Sequence, residues 1–202
     1  MNILNLRGIL KNIRYSHSIN DVDYNKADLI TKRLDGKEDI ITLEFKKFSN
    51  TYKEDQEVEL VGNVRSYSKR GEDGKNKVQI YVFTYFDQPS TELDCNNDLI
   101  IDGTICKIDA IRQTKSGKSN IHFILANNIS KDGSSVKLNS YIPCVAWGVT
   151  AKAISKLSVG DKLSFRGELH SREYKKVLDN GDIEIRVAHE ALVTNILPYI
   201  ED

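Results

Sequence analysis

The chain has 202 residues, 40% hydrophobic and 29% charged, with 29 basic side chains balanced by 29 acidic ones. That length holds one large domain or two of about 100 residues, and the hydrophobic fraction argues against disorder over most of the chain. No run of 18 apolar residues occurs, which excludes a spanning helix, and the opening residues lack a signal-peptide pattern, so a cytoplasmic location is expected.

In chain order, the first strand signal is Leu6-Arg7-Gly8-Ile9-Leu10, an apolar-x-Gly pattern that returns as Ile101-Asp102-Gly103-Thr104-Ile105 at an offset of 95. Asp35-Gly36 reads as a hairpin turn, because glycine supplies the positive φ such turns need. Ser49-Asn50-Thr51-Tyr52-Lys53 is too short for a helix. Val58, Leu60, Gly62 and Val64 alternate with Glu59, Val61 and Asn63 as a half-buried strand does. This segment returns as Leu163-Ser164-Phe165-Arg166-Gly167-Glu168-Leu169 at an offset of 105. Val78, Ile80 and Val82 fall on Ile183, Ile185 and Val187 at that same offset, after a turn at Asp73-Gly74. Three matched pairs in one order imply a duplicated unit.

Residues 89–98 are polar, begin with Pro89 and have no periodicity, so they read as a linker between units at 1–88 and 99–202. In the second unit Asp132-Gly133 and Asn180-Gly181 are turns. Thr150-Ala151-Lys152-Ala153-Ile154-Ser155-Lys156-Leu157 is a helix that Thr150 caps and Gly160 closes. Five antiparallel strands per unit leave open edges unless they close. The fold expected is therefore all-β: two tandem OB-folds, each a five-stranded Greek-key barrel, with a helix between strands 3 and 4 of the second only. Gly8, Gly62, Gly103 and Gly167 mark places where barrel strands bend. A strand-helix-strand insertion argues against an immunoglobulin-like sandwich.

Catalysis finds no support. The chain has no Gly-rich phosphate loop, no H-E-x-x-H, no G-x-S-x-G and no carboxylate-histidine cluster. Cys95, Cys106 and Cys144 lack metal-ligand spacing, so neither a disulfide framework nor zinc is expected. Cys106 and Cys144 read as small core residues. No cofactor is implied.

The segment Tyr141-Ile142-Pro143-Cys144-Val145-Ala146-Trp147-Gly148, the helix, and Gly160-Asp161-Lys162-Leu163-Ser164-Phe165-Arg166-Gly167-Glu168-Leu169 resemble the bacterial single-stranded DNA-binding protein family. A looser match runs from about 99 to 196, and the first unit looks like a diverged, helix-less copy. The resemblance implies single-stranded DNA as partner, held by bases stacking on aromatic rings along a basic groove. Carried over by position, Tyr141 opens the third strand, Trp147 precedes the glycine, and Tyr174 lies beyond the fourth strand. The family favours tryptophan at 141 and 174, and a further aromatic near Asn127-Asn128-Ile129 is absent here. The acidic recruitment tail usual in the family is not seen in Leu197-Pro198-Tyr199-Ile200-Glu201-Asp202. Members commonly assemble four OB units, so two per chain imply a homodimer.

Stacking suits any sequence because every base has a π-face, and neighbouring cations neutralise phosphates. Candidate cations are Arg172, Lys175 and Lys176 around Tyr174, and Lys115 and Lys118 in the loop after the first strand. In the first unit the equivalent arm holds Tyr67 with Arg65, Lys69 and Arg70. Phe48 stands where Trp147 does, preceded by Lys46 and Lys47. Tyr81, Phe83 and Tyr85 alternate with Val78, Ile80 and Val82, and an exposed apolar stripe there would serve self-association. Binding single-stranded DNA is the leading reading. An RNA-binding OB module and a protein-interaction scaffold that has lost its ligand stay open beside it.

Overall fold

The computed structural model describes residues 1–47, 52–70, 76–84, 96–130, 137–177 and 181–199. The first unit comprises β1 (Asn2–Ile19), β2 (Val22–Lys32), β3 (Glu38–Lys46), β4 (Glu57–Arg70) and β5 (Asn76–Thr84). The second comprises β6 (Asn97–Ile108), β7 (Arg112–Gln113), β8 (Ser119–Ser130), β9 (Lys137–Trp147), α1 (Gly148–Ile154), β10 (Lys162–Val177) and β11 (Ile183–Leu197). The chain is all-β apart from α1, and no described helix is long and apolar enough to cross a membrane. Asn97 and Asp98 already lie in β6, so the second unit starts two residues earlier than the sequence suggests; residues 85–95 lie outside the described ones.

The strands run β2-β3-β5-β4-β1-β6-β10-β11-β9-β8-β7. Two further pairings, β2 with β1 and β6 with β8, close each unit's strands on themselves. In both units the third and fifth strands pair parallel and the remaining main pairings are antiparallel. Alternation explains the inward faces: Leu4, Leu6, Leu60, Leu29, Ile41 and Leu43 fill the first unit, and Leu99, Ile101, Phe123, Ile142, Phe165 and Leu169 the second. The strand glycines mark close approach as much as bending. A Cβ on Gly167 would stand 2.0 Å from the Leu192 carbonyl oxygen, and one on Gly103 2.4 Å from that of Ala126.

The duplication extends to polar detail. Asn2 donates to the Val64 carbonyl at 2.8 Å and accepts from its N–H at 2.9 Å. Asn97 treats Leu169 identically, at 2.7 and 2.9 Å. The units join through antiparallel β1 and β6 with Leu4 opposite Leu99, the residues that the offset of 95 makes equivalent. The joint is thus a two-fold contact built within one chain. It is flanked by two matching serine contacts. Ser66 donates its N–H to the Ser140 hydroxyl at 3.3 Å and accepts from the Tyr141 N–H at 2.7 Å. Ser171 donates its N–H to Asp39 at 2.5 Å and accepts from the Ile40 N–H at 2.8 Å.

Four expectations require correction. The helix spans Gly148–Ile154 with Trp147 at the N-cap and no side-chain cap, so Thr150 lies inside it. Gly160 does not close it; its N–H reaches the Ile105 carbonyl at 2.8 Å, pinning the following loop to β6. The fifth strands align by pairing at an offset of 109 (193 minus 84), because Gly62 faces Thr84 and Gly167 faces Val193. The β10–β11 arm is longer than its counterpart, and Ile183, Ile185 and Val187 are exposed on it. Cys106 is exposed with its thiol 3.3 Å from the Ile124 carbonyl, whereas Cys144 is buried.

Candidate nucleic-acid interface

In an OB-fold the outer face of strands 2 and 3, with the loops joining strands 1–2 and 4–5, receives oligonucleotides. In the second unit that face is β8–β9. Ile142, Cys144 and Ala146 are buried inside, so Tyr141, Pro143, Val145 and Trp147 lie on the outer side by alternation, where Val145 is covered (3% exposed) and the two rings are not. Tyr141 and Trp147 retain 47% and 40% of their surface. They stand opposite Ala126 and Asn120 on β8. Six residues along one strand separate them, about 20 Å at 3.3 Å per residue, which leaves room for several nucleotides.

Trp147 is exposed because the chain turns away behind it. Gly148 adopts φ +57, a conformation that costs glycine little and reverses β9 into α1. Ala151 and Ile154 then plug the unit's end. Tyr141 is held from the other unit, through the bond from its N–H to the Ser66 hydroxyl.

Two basic projections flank this face. The β7–β8 turn carries exposed Lys115 and Lys118 and is fixed by Thr114, whose N–H donates to the Lys118 carbonyl at 2.9 Å, and by Gly117 at φ +78. The β10–β11 arm carries Arg172, Tyr174 and Lys175 exposed. Its register sets two faces: Arg172 and Tyr174 on one, and Val177, Ile183, Ile185 and Val187 with Lys175 on the other. Among the described residues Lys115, Lys118, Arg172 and Lys175 make no ion pair, and the rings of Tyr141, Trp147 and Tyr174 meet no other ring or cation. The side chain of Lys176 lies outside the described residues.

The first unit differs. Phe48 and Tyr85 lie outside the described residues, as does the Lys69 side chain, and Arg70 is exposed. Arg65, expected as a phosphate contact, is 8% exposed, with its guanidinium 4.0 Å from the centroid of Phe83. Phe83 is 5% exposed and so forms no surface stripe with Tyr81, which is half-buried. The covering group is Tyr24, 6.3 Å from Phe83, which stacks on His17 at 4.8 Å and 7°. Tyr67 meets Tyr81 edge-on at 5.7 Å, its hydroxyl bonds Gln79, and the Lys26 ammonium stands 5.3 Å over its ring. Each such contact is worth about 0.5–2 kcal/mol, comparable to stacking a base at about 1–3 kcal/mol. Three cations here have partners: Lys26 lies 3.5 Å from Glu44, Arg14 3.2 Å from Asp28 and Lys47 3.5 Å from Asp23, whereas Arg70 makes no ion pair among the described residues. Lys46 is half-buried opposite Tyr24 in the β2–β3 register.

Tyr15, His17, Tyr24 and Lys26 are absent from the sequence expectation. The available signal was Asn20-Asp21, whose φ of 48 and 61 make a two-residue hairpin loop. That turn lengthens β1–β2 into an arm carrying all four.

Residues 96–193 match the single-strand binding protein family. No curated protein matches the chain. Among solved structures, the wild-type single-stranded DNA binding protein from Thermus aquaticus aligns with a TM-score of 0.71 at 16% identity, covering 100% of this chain and 94% of that one. A deletion mutant of the same Thermus aquaticus protein aligns with the same score and identity over 100% and 96%. At that identity the likeness is one of fold. The second unit thus matches the single-strand binding protein family, and the whole chain shares the fold of the single-stranded DNA binding protein from Thermus aquaticus.

Proposed function

We propose that this protein, two tandem OB-folds with the first within 1–88 and the second from Asn97 onward, binds single-stranded DNA without strong sequence preference. The observation that carries the reading is the pair Tyr141 and Trp147, exposed on the outer face of β8–β9 between two projections whose cations are unspent. Tyr174 joins them as a third stacking ring, with Arg172, Lys175, Lys176, Lys115 and Lys118 meeting phosphates. The family match over residues 96–193 supports the same ligand. Holding strands open in replication, recombination or repair within the cytoplasm is the role this chemistry suits, and no catalysis is proposed.

The active form is a homodimer with four OB units. Exposed Ile3 and Ile9 on the outer face of β1 and Ile196 on β11 support an apolar contact there, in place of the stripe that buried Phe83 removes. Light scattering should then return twice the 22.9 kDa chain mass.

The test is titration of Trp147 fluorescence with oligo-dT at two salt concentrations. Saturable quenching that weakens with salt is expected. No quenching and no gel shift would retire the reading in favour of a scaffold. Tighter binding of the matched ribo-oligomer would favour RNA.

A further inference from the structure

We infer that the two units divide the work: the second unit holds the strand, while the first unit's corresponding face is occupied by its own side chains and serves as a brace. This rests on the single-strand-binding reading above and assigns that activity to one face per chain. The first unit has the rings and cations that a strand would need. However, each of its central groups is already engaged. The Arg65 guanidinium stands over Phe83, Lys26 sits over Tyr67 and beside Glu44, and Tyr24 is stacked on His17. Tyr67 keeps 39% of its surface, but the Lys26 ammonium and the edge of Tyr81 already stand against its ring, so a base stacked there competes with both.

A phosphate would likewise compete with carboxylates already in place at Lys26 and Arg14. Neutralised cations release few counterions, so they add little affinity and little salt dependence. Exposure does not separate the units, since Tyr67 and Tyr174 each keep 39% and Tyr15 keeps 62%. The difference lies in contacts, because among the described residues no ring or cation meets Trp147, Tyr141 or Tyr174 and Lys115, Lys118, Arg172 and Lys175 make no ion pair. What the first unit supplies instead is support: Ser66 on β4 fixes the backbone of β9 at Tyr141.

The experiment uses the full chain and dT oligomers carrying 5-iodouracil. Photo-crosslinked wild-type protein is digested and the modified peptides are located by mass spectrometry. Crosslinks confined to β9 and the β10–β11 arm are expected; crosslinks of equal yield on the β1–β2 hairpin or the β4–β5 arm would overturn the inference. In parallel, Trp147→Ala should weaken dT binding by about five-fold or more, whereas Tyr24→Ala, checked for folding by circular dichroism, should stay within about two-fold. An equal loss in Tyr24→Ala would also overturn it. A wild-type chain that binds no single strand sinks the parent reading instead, and the two failures are thereby told apart.

Discussion

Trp147 is usable as a stacking surface because of the residue after it. Gly148 at φ +57 redirects the chain into α1, so the indole remains on the outer face while Ala151 and Ile154 turn inward. Replacing the exposed indole should therefore cost binding and spare folding. Trp147→Ala is expected to lose about 1–3 kcal/mol of affinity for oligo-dT, read by fluorescence anisotropy, with an unchanged melting temperature. Gly148→Ala should instead cost stability: a side chain in the left-handed region costs about 1–2 kcal/mol, and a urea midpoint would register it. The residue scale also explains what pattern reading missed. Arg65 beside Tyr67 looks like a phosphate contact in the sequence, yet its guanidinium is engaged by Phe83, eighteen positions further on.

Among the elements, the β10–β11 arm matters most. Alternation puts Arg172 and Tyr174 on one face of the ribbon and Ile183, Ile185 and Val187 on the other. Arg172 is exposed and forms no ion pair among the described residues, so Arg172→Ala should reduce the slope of log affinity against log salt by about 0.7, one phosphate's share for a single strand. Stability should be unaffected. The root of the same arm is rigid for a different reason. Gly167 sits where β10 passes the Leu192 carbonyl, and a Cβ there would lie 2.0 Å from that oxygen. Gly167→Ala is expected to destabilise by about 1–3 kcal/mol through overpacking, measured by urea denaturation. The repeated glycines were visible in the sequence; the carbonyl that demands each one was not, because it belongs to a strand distant in the chain.

At the scale of the whole molecule, the two matching joints differ in charge. The Ser66 joint is neutral, whereas at the Ser171 joint Asp39 is fully buried, 2.5 Å from Arg33, with His189 donating to the Ile40 carbonyl at 2.8 Å. Burial pushes the Asp39 carboxyl up, but Arg33 and the Ser171 N–H outweigh it and hold it below the ordinary 3.8. Burial pushes His189 below the ordinary 6.5, with the Ile40 carbonyl opposing. Both folded values are lowered, so both contributions to stability are present above the unfolded value and are lost as pH falls. For His189 the loss begins as pH drops through 6.5, and for Asp39 only below 3.8. The urea midpoint should accordingly be lower at about pH 5 than at about pH 8, and His189→Gln, which keeps an N–H for Ile40, should flatten that difference.

The sequence by itself determined the strands, the repeated pattern and which residues of the second unit alternate onto one side of β9. These depend on alternation, on repeated glycines and on the Trp-Gly turn, all of which are local. Tertiary structure decided which of two plausible faces is free. Alternation assigns Phe83 and Arg65 to the outside of their strands, but whether that outside is wet depends on Tyr24, brought over it by the β1–β2 hairpin. Tertiary pairing also set the four-residue shift of the fifth strands, since register there is fixed by the partner strand and not by the apolar pattern, which repeats every two residues. A period of two cannot distinguish registers that differ by an even number.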